Sequence, residues 1–252
     1  MKKATLYTAA VAVAFLLSCA RDEDNKPQEP AATHAELLLD SHLKWGSAPL
    51  ETQTLLVSTG EDSLSLDYAG MYLTDFVLIQ EDNTELPLSG QVILLKTGSE
   101  QAFSLGQVPI GTYKGVRFSV GSAALNTKQP IDYESGPLAL QDPGMWWTWN
   151  SGYIFMRLDG WVDMDGDGVA SDDNSPLTLH LGTNNFAMPV SSLETTSFVI
   201  SADGHNTLHM NVDLRELLNG VDLATERVTH TGNNLPLANK IKTNVPSVFS
   251  AE

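Results

Sequence analysis

A single cysteine in 252 residues cannot close an internal disulfide or build a thiolate metal cluster, which excludes zinc-ribbon, iron–sulfur and disulfide-scaffold classes together. Any metal the chain holds must sit on nitrogen or oxygen. Basic residues are also scarce: 14 against 31 acidic side chains give a formal net charge of −17. Such a polyanion repels phosphate backbones, so no nucleic-acid partner is expected. Also missing are long helical periodicities, a phosphate-cradling glycine loop, a Gly-x-Ser-x-Gly elbow and a His-Glu-x-x-His helix. Nothing singles out a catalytic apparatus, and the chain is expected to bind a ligand without turning one over.

The beginning of the chain reads as an address. Lys2 and Lys3 precede an apolar run from Val11 to Leu17 that is too short to span a bilayer, the layout of a bacterial export signal. Leu16-Leu17-Ser18-Cys19 has the form of a lipobox, in which the cysteine is lipidated before cleavage. Residues 20–33 carry no large apolar side chain and cannot offset the entropy of ordering. The organisation expected is a signal peptide over 1–18, a disordered acidic tether over 19–33 starting at the lipidation site Cys19, and one domain over 34–252. The location expected is the bacterial cell envelope, with a lipid anchor in the outer membrane facing either the periplasm or the cell surface.

In that domain, apolar and polar residues alternate with period two in short runs broken by Gly, Pro, Asn and Asp. Thr112 to Val120, Tyr153 to Leu158, Leu177 to Leu181 and Leu208 to Val212 are the clearest strands. Phe76 to Ile79 and Val92 to Leu95 are continuously apolar, as strands covered on both faces are. Asp213 to Gly220 offers a cap, an apolar pair and a terminating glycine, and Leu237 to Thr243 suggests a second short helix. The fold class expected is all-β: an antiparallel β-sandwich with long loops, one of them over Gly121 to Met145, and one or two short helices.

Three of the five tryptophans fall within Trp146-Trp147-Thr148-Trp149, and strand geometry turns Trp147 and Trp149 to one face and Trp146 to the other. Among the six histidines, His180 alternates against Leu177, Leu179 and Leu181, so the leucines face the core and the imidazole points away. His42 shares a face with Leu38 and Asp40, opposite Leu37, Leu39 and Leu43.

The string Gly144-Met145-Trp146-Trp147-Thr148-Trp149-Asn150-Ser151-Gly152-Tyr153-Ile154-Phe155, continuing to Gly160 and followed by Leu179-His180-Leu181-Gly182, resembles the MbnP-like copper-binding proteins associated with methanobactin operons. Gly70 to Phe76, Pro109 to Tyr113 and Asn244 to Phe249 extend the resemblance over nearly the whole exported body. The acidic stretch after Cys19 is similar to surface-export signals of Bacteroidota lipoproteins, which suggests a member of Bacteroidota type. The resemblance implies a β-sandwich that holds one copper ion through two histidines and the amine of a kynurenine, for copper capture or delivery. Kynurenine is a tryptophan whose indole has been oxidatively opened, and in the family a dihaem, MauG-like peroxidase is the implied partner. Carried onto this sequence, the ligands would be His42, His180 and a modified Trp147 or Trp149. The donor chemistry is coherent, because neutral imidazole suits copper and an intact indole offers no lone pair until ring opening exposes one.

Asp163-Met164-Asp165-Gly166-Asp167-Gly168 resembles the opening of a calcium loop, with Asp172 or Asp173 in place of the missing terminal Glu. An acidic hairpin turn explains the same residues. The alternative function is a calcium-stabilised surface module that binds glycans or proteins through exposed aromatic rings.

Overall fold

The computed structural model describes residues 32–98, 102–148, 152–171, 175–202 and 204–252, and Ala32–Glu252 forms one compact unit. The export signal, Cys19, Trp149, Asp172 and Asp173 lie outside the described residues. Among the described residues no helix is long and apolar enough to cross a membrane. The strands begin with β1 (His34–Trp45), β2 (Ala48–Pro49), β3 (Leu56–Val57), β4 (Ser63–Gln80), β5 (Glu85–Pro87) and β6 (Ile93–Lys96). They continue with β7 (Ala102–Pro109), β8 (Gly111–Val120), β9 (Trp146–Trp147), β10 (Gly152–Val162) and β11 (Ser175–Gly182). The remainder are β12 (Met188–Val190), β13 (Phe198–Ile200), β14 (Asn206–Asp213), β15 (Val228–Thr229) and, after α-helix α1 (Leu235–Asn244), β16 (Phe249–Ala251).

Two sheets divide these strands. The smaller runs β16-β14-β1-β2, with β7 on β1, and the larger runs β12-β8-β4-β10-β11-β15, with the short strands attached to β8, β4 and β10. Alternation explains how they pack: Leu37 and Leu39 of β1 and Leu208, Met210 and Val212 of β14 join Leu177, Leu179 and Leu181 of β11 in one apolar core. A T-shaped contact between Phe118 and Phe249, with centroids 5.0 Å apart, joins β8 to β16.

The sandwich is not purely antiparallel. β1 pairs in parallel with β14, and β11 with β15. Parallel partners need a long crossover, and strands so distant in the chain have one available. The segment from Asp213 to Gly220 forms a 3-10 turn over Leu214–Leu218, capped by Asp213 accepting from the Arg215 amide. The helix expected near Leu237 is α1, with Asn234 as its cap and Leu237, Ala238 and Ile241 buried.

The 121–145 segment contains 3-10 turns at Ala123–Thr127 and Pro130–Asp132 and lies against the larger sheet. Tyr72 and Tyr153 donate their hydroxyls to the Pro137 and Leu138 carbonyls at 3.1 and 2.6 Å. That cover explains why β4 and β10 are buried on both faces along much of their length.

Candidate metal centre

The hairpin of β10 and β11 sets Arg157 opposite His180 and Asp159 opposite Thr178, while β4 contributes Gly70 and Tyr68 beside the same two β10 residues. With Leu177, Leu179 and Leu181 fully turned to the core, strand alternation sends His180 to the far face, as the sequence indicated. His180 is nevertheless only 8% exposed. The chain leaving β15 covers it: Thr231, at φ 63°, donates its hydroxyl to the His180 carbonyl and accepts from the Gly182 amide at 3.1 and 3.0 Å.

That covering segment brings His230 onto His180, ring centroids 4.9 Å apart and nearly perpendicular. His180 Nε2 lies 2.6 Å from Asp159 Oδ1, and Arg157 Nε bonds the other carboxylate oxygen. The guanidinium also donates to the Gly144 carbonyl and sits 5.5 Å over the Tyr68 ring. Burial raises the pKa of the Asp159 carboxyl, but the hydrogen bonds and charges of His180 and Arg157 outweigh it and hold the group below the usual carboxylate range. Burial lowers the pKa of His230, and the charges on His180 and Arg157 lower it further against the pull of Asp159, which favours the neutral, ligating imidazole. Burial also pushes Tyr68 up to about 12, keeping its hydroxyl protonated.

An ionised Asp159 can only accept, so the proton of a neutral His180 sits on Nε2 and Nδ1 keeps its lone pair. A carboxylate holding the second nitrogen of an imidazole is the usual support of a metal-ligating histidine. Trp147, 3% exposed, belongs to β9, which pairs with Gly152 and Tyr153 at the start of β10. Its ring lies against Gly182, two residues along β11 from His180: a β-carbon there would come within 2.8 Å of Trp147 Cζ3 and 2.5 Å of the Tyr153 carbonyl oxygen. Trp146 packs edge-on against the Tyr153 ring at 4.9 Å.

Two sequence-derived candidates, His180 and Trp147, thus come to the same stretch of β11, Trp147 against Gly182 two residues from His180, and His42 does not join them. His42 lies on the smaller sheet among Asp40, His209 and Glu252. Its outward parity is as read, but facing outward does not decide which neighbour a residue meets. The imidazole beside His180 is His230, which follows a two-residue strand in Thr-His-Thr-Gly-Asn-Asn, where no alternation could mark it.

The turn between β10 and β11 gathers Asp163, Asp165 and Asp167 with carboxylate oxygens within 4.8 Å of one another. Their own backbone supplies donors: Gly166 and Gly168 amides bond Asp163 at 2.8 and 2.9 Å, and the Val169 amide bonds Asp167 at 2.8 Å. Desolvation raises the pKa of Asp163, and the Gly166 and Gly168 amides, with Asp165 and the Asp167 amide, together lower it by more. The hydrogen bonds are those of an acidic Asx turn.

The fold and site define an all-β sandwich whose β10–β11 hairpin presents a carboxylate-held histidine to a second histidine, with a buried tryptophan packed against the strand two residues further on. The sequence matches the model of the MbnP family over residues 34–235, and the chain belongs to that family. No curated protein matches it. Its structure is similar to that of MbnP from Methylosinus trichosporium, with a TM-score of 0.58 over 87% of this chain and 99% of that one, at 16% identity, a likeness of fold.

Proposed function

We propose that the protein is a lipid-anchored copper-binding protein of the bacterial cell envelope, holding copper at His180 and His230 with a third donor from Trp147 once its indole has been opened to kynurenine. The observation that carries this reading is the meeting of His180 and His230 beside Asp159, on the strand against which Trp147 rests. Each residue has a defined task. Asp159, itself held by Arg157, fixes the His180 tautomer and leaves Nδ1 for the metal. His230 supplies a second neutral nitrogen, and the 121–145 segment and Thr231 keep water from much of the face. Copper(I) is the ion such a low-coordinate set of nitrogen donors favours. The protein stores or hands over the ion without turnover, and a dihaem MauG-like peroxidase would convert the tryptophan.

The alternative of a calcium-stabilised, glycan-binding module finds less support, because Trp147 is buried and Trp146 packs on Tyr153 instead of presenting a flat ring. Copper(I) affinity, measured by chelator competition on protein from the native host, tests the proposal. His180→Ala and His230→Ala should each weaken binding by about 100-fold or more, and His42→Ala should not. A His230→Ala variant that keeps wild-type affinity while His42→Ala loses it would overturn the assignment. Mass spectrometry of the same protein should show residue 147 with one carbon lost and one oxygen gained.

A further inference from the structure

The smaller sheet carries a second group of donors that the copper reading does not use. Strand alternation sets Asp40 and His42 on one face of β1, and the parallel register with β14 places His209 directly beside Asp40. Glu252 follows β16 on the other side of β14, where its amide bonds the His209 carbonyl at 3.3 Å. We infer that Asp40, His42 and His209 form a surface site for a divalent transition-metal ion, separate from the His180 cluster.

Spacing separates this group from an ordinary set of ion pairs. His42 Nε2 stands 3.5 Å from both Asp40 Oδ2 and Glu252 Oε2, and His209 Nδ1 stands 3.2 Å from Asp40 Oδ2. Charge-assisted hydrogen bonds close to about 2.7–2.9 Å, as the 2.6 Å contact of His180 with Asp159 does. Tetrahedral ligands on bonds of about 2.0–2.1 Å stand roughly 3.3 Å apart. The donors of Asp40, His42 and His209 all fall within 4.8 Å of one another, a spread that small rotations of the two exposed histidines bring within reach of one ion.

Two imidazoles and one carboxylate, with water in the fourth position, suit zinc(II) and copper(II), with copper(II) the tighter, and are a poor set for calcium, which takes oxygen alone. The side chains of His42 and His209 are 46% and 50% exposed, so an ion can enter from solution without opening the fold. The acidic surface raises the local concentration of cations. Two hydrogen-bonded strands, β1 and β14, hold the donors, so their backbone positions are set before the ion arrives.

Zinc(II) titration calorimetry and cobalt(II) absorption on the full exported chain provide the test. The wild type should bind one zinc ion, and cobalt(II) should show the intense bands of a four-coordinate site. His42→Gln, His209→Gln and Asp40→Asn should each weaken zinc binding by about ten-fold or more, since loss of even an outer-shell partner costs a metal site that much. The thermal midpoints of the two histidine variants should not move, because both side chains are about half exposed. His180→Gln and Asp163→Asn should bind zinc as the wild type does. The inference is overturned if the wild type takes up no zinc, if the three variants bind normally, or if binding is lost in His180→Gln or Asp163→Asn instead. Because the copper(I) test depends on His180 and His230, failure of one site leaves the other standing.

Discussion

Replacing Gly182 with alanine probes the packing that brings Trp147 to the β11 strand. The added β-carbon would lie 2.5 Å from the Tyr153 carbonyl oxygen and 2.8 and 3.1 Å from Trp147 Cζ3 and Cη2. Ordinary contact begins about 1 Å further out, so either β10 and β11 must part or the indole must leave its seat. Overpacking of this kind costs about 1–3 kcal/mol. For a body of this size each kcal/mol moves the melting midpoint by about 2–4 °C, which gives a fall of about 2–12 °C. Gly232 is the control: a β-carbon there meets nothing within 4 Å, and its replacement should stay within about 0.5 kcal/mol. Thermal melts followed by far-UV circular dichroism measure the difference, and near-UV spectra report whether the tryptophan environment changes. A Gly182→Ala protein that melts with the Gly232→Ala control and keeps a wild-type near-UV spectrum would refute the placement of Trp147 on the strand.

Other consequences follow from the same cluster. Asp159→Asn removes the anion shared by His180 and Arg157 and should cost about 1.5–3 kcal/mol in urea unfolding, together with a ten- to hundred-fold loss of copper affinity, roughly the cost of an outer-shell partner. Because the folded pKa of Asp159 is depressed, its contribution to stability is complete above the ordinary carboxylate range and is lost as pH falls through the lower folded value. The urea midpoint of the wild type should therefore drop more steeply on acidification than that of Asp159→Asn. Tyr68 buries a hydroxyl with no hydrogen-bond partner, and Tyr68→Phe should be neutral or stabilising by up to about 1 kcal/mol.

Much of the architecture was legible because it is local. The alternation of Leu208, Met210 and Val212 against His209 and Asn211 appears in β14 as buried and solvent-facing residues in turn. Leu177 to Leu181 behaves alike, except that His180, pointing away from the core as read, is covered from above. The cap and terminating glycine around Leu214 to Leu218 marked a helical turn correctly and left its 3-10 pitch open, since pitch depends on how the turn packs. The resemblance that rested on the tryptophan string and Leu179-His180-Leu181-Gly182 led to the right family.

The choice of partners was not legible. His42 and His180 both face outward, and nothing in their neighbours along the chain says that one lies by His209 and Glu252 while the other meets Asp159 and His230. The sequence by itself determined the strands, the side of each strand that must be buried, the acidic character of the surface and the restriction of any metal to nitrogen and oxygen donors. Tertiary structure alone decided which outward residues became neighbours, through the parallel pairing of β1 with β14 and the passage of the chain after β15 over His180. Alternation is a property of one strand and costs no chain closure. Register between strands far apart in the chain is chosen only when the two sheets bury their apolar faces together.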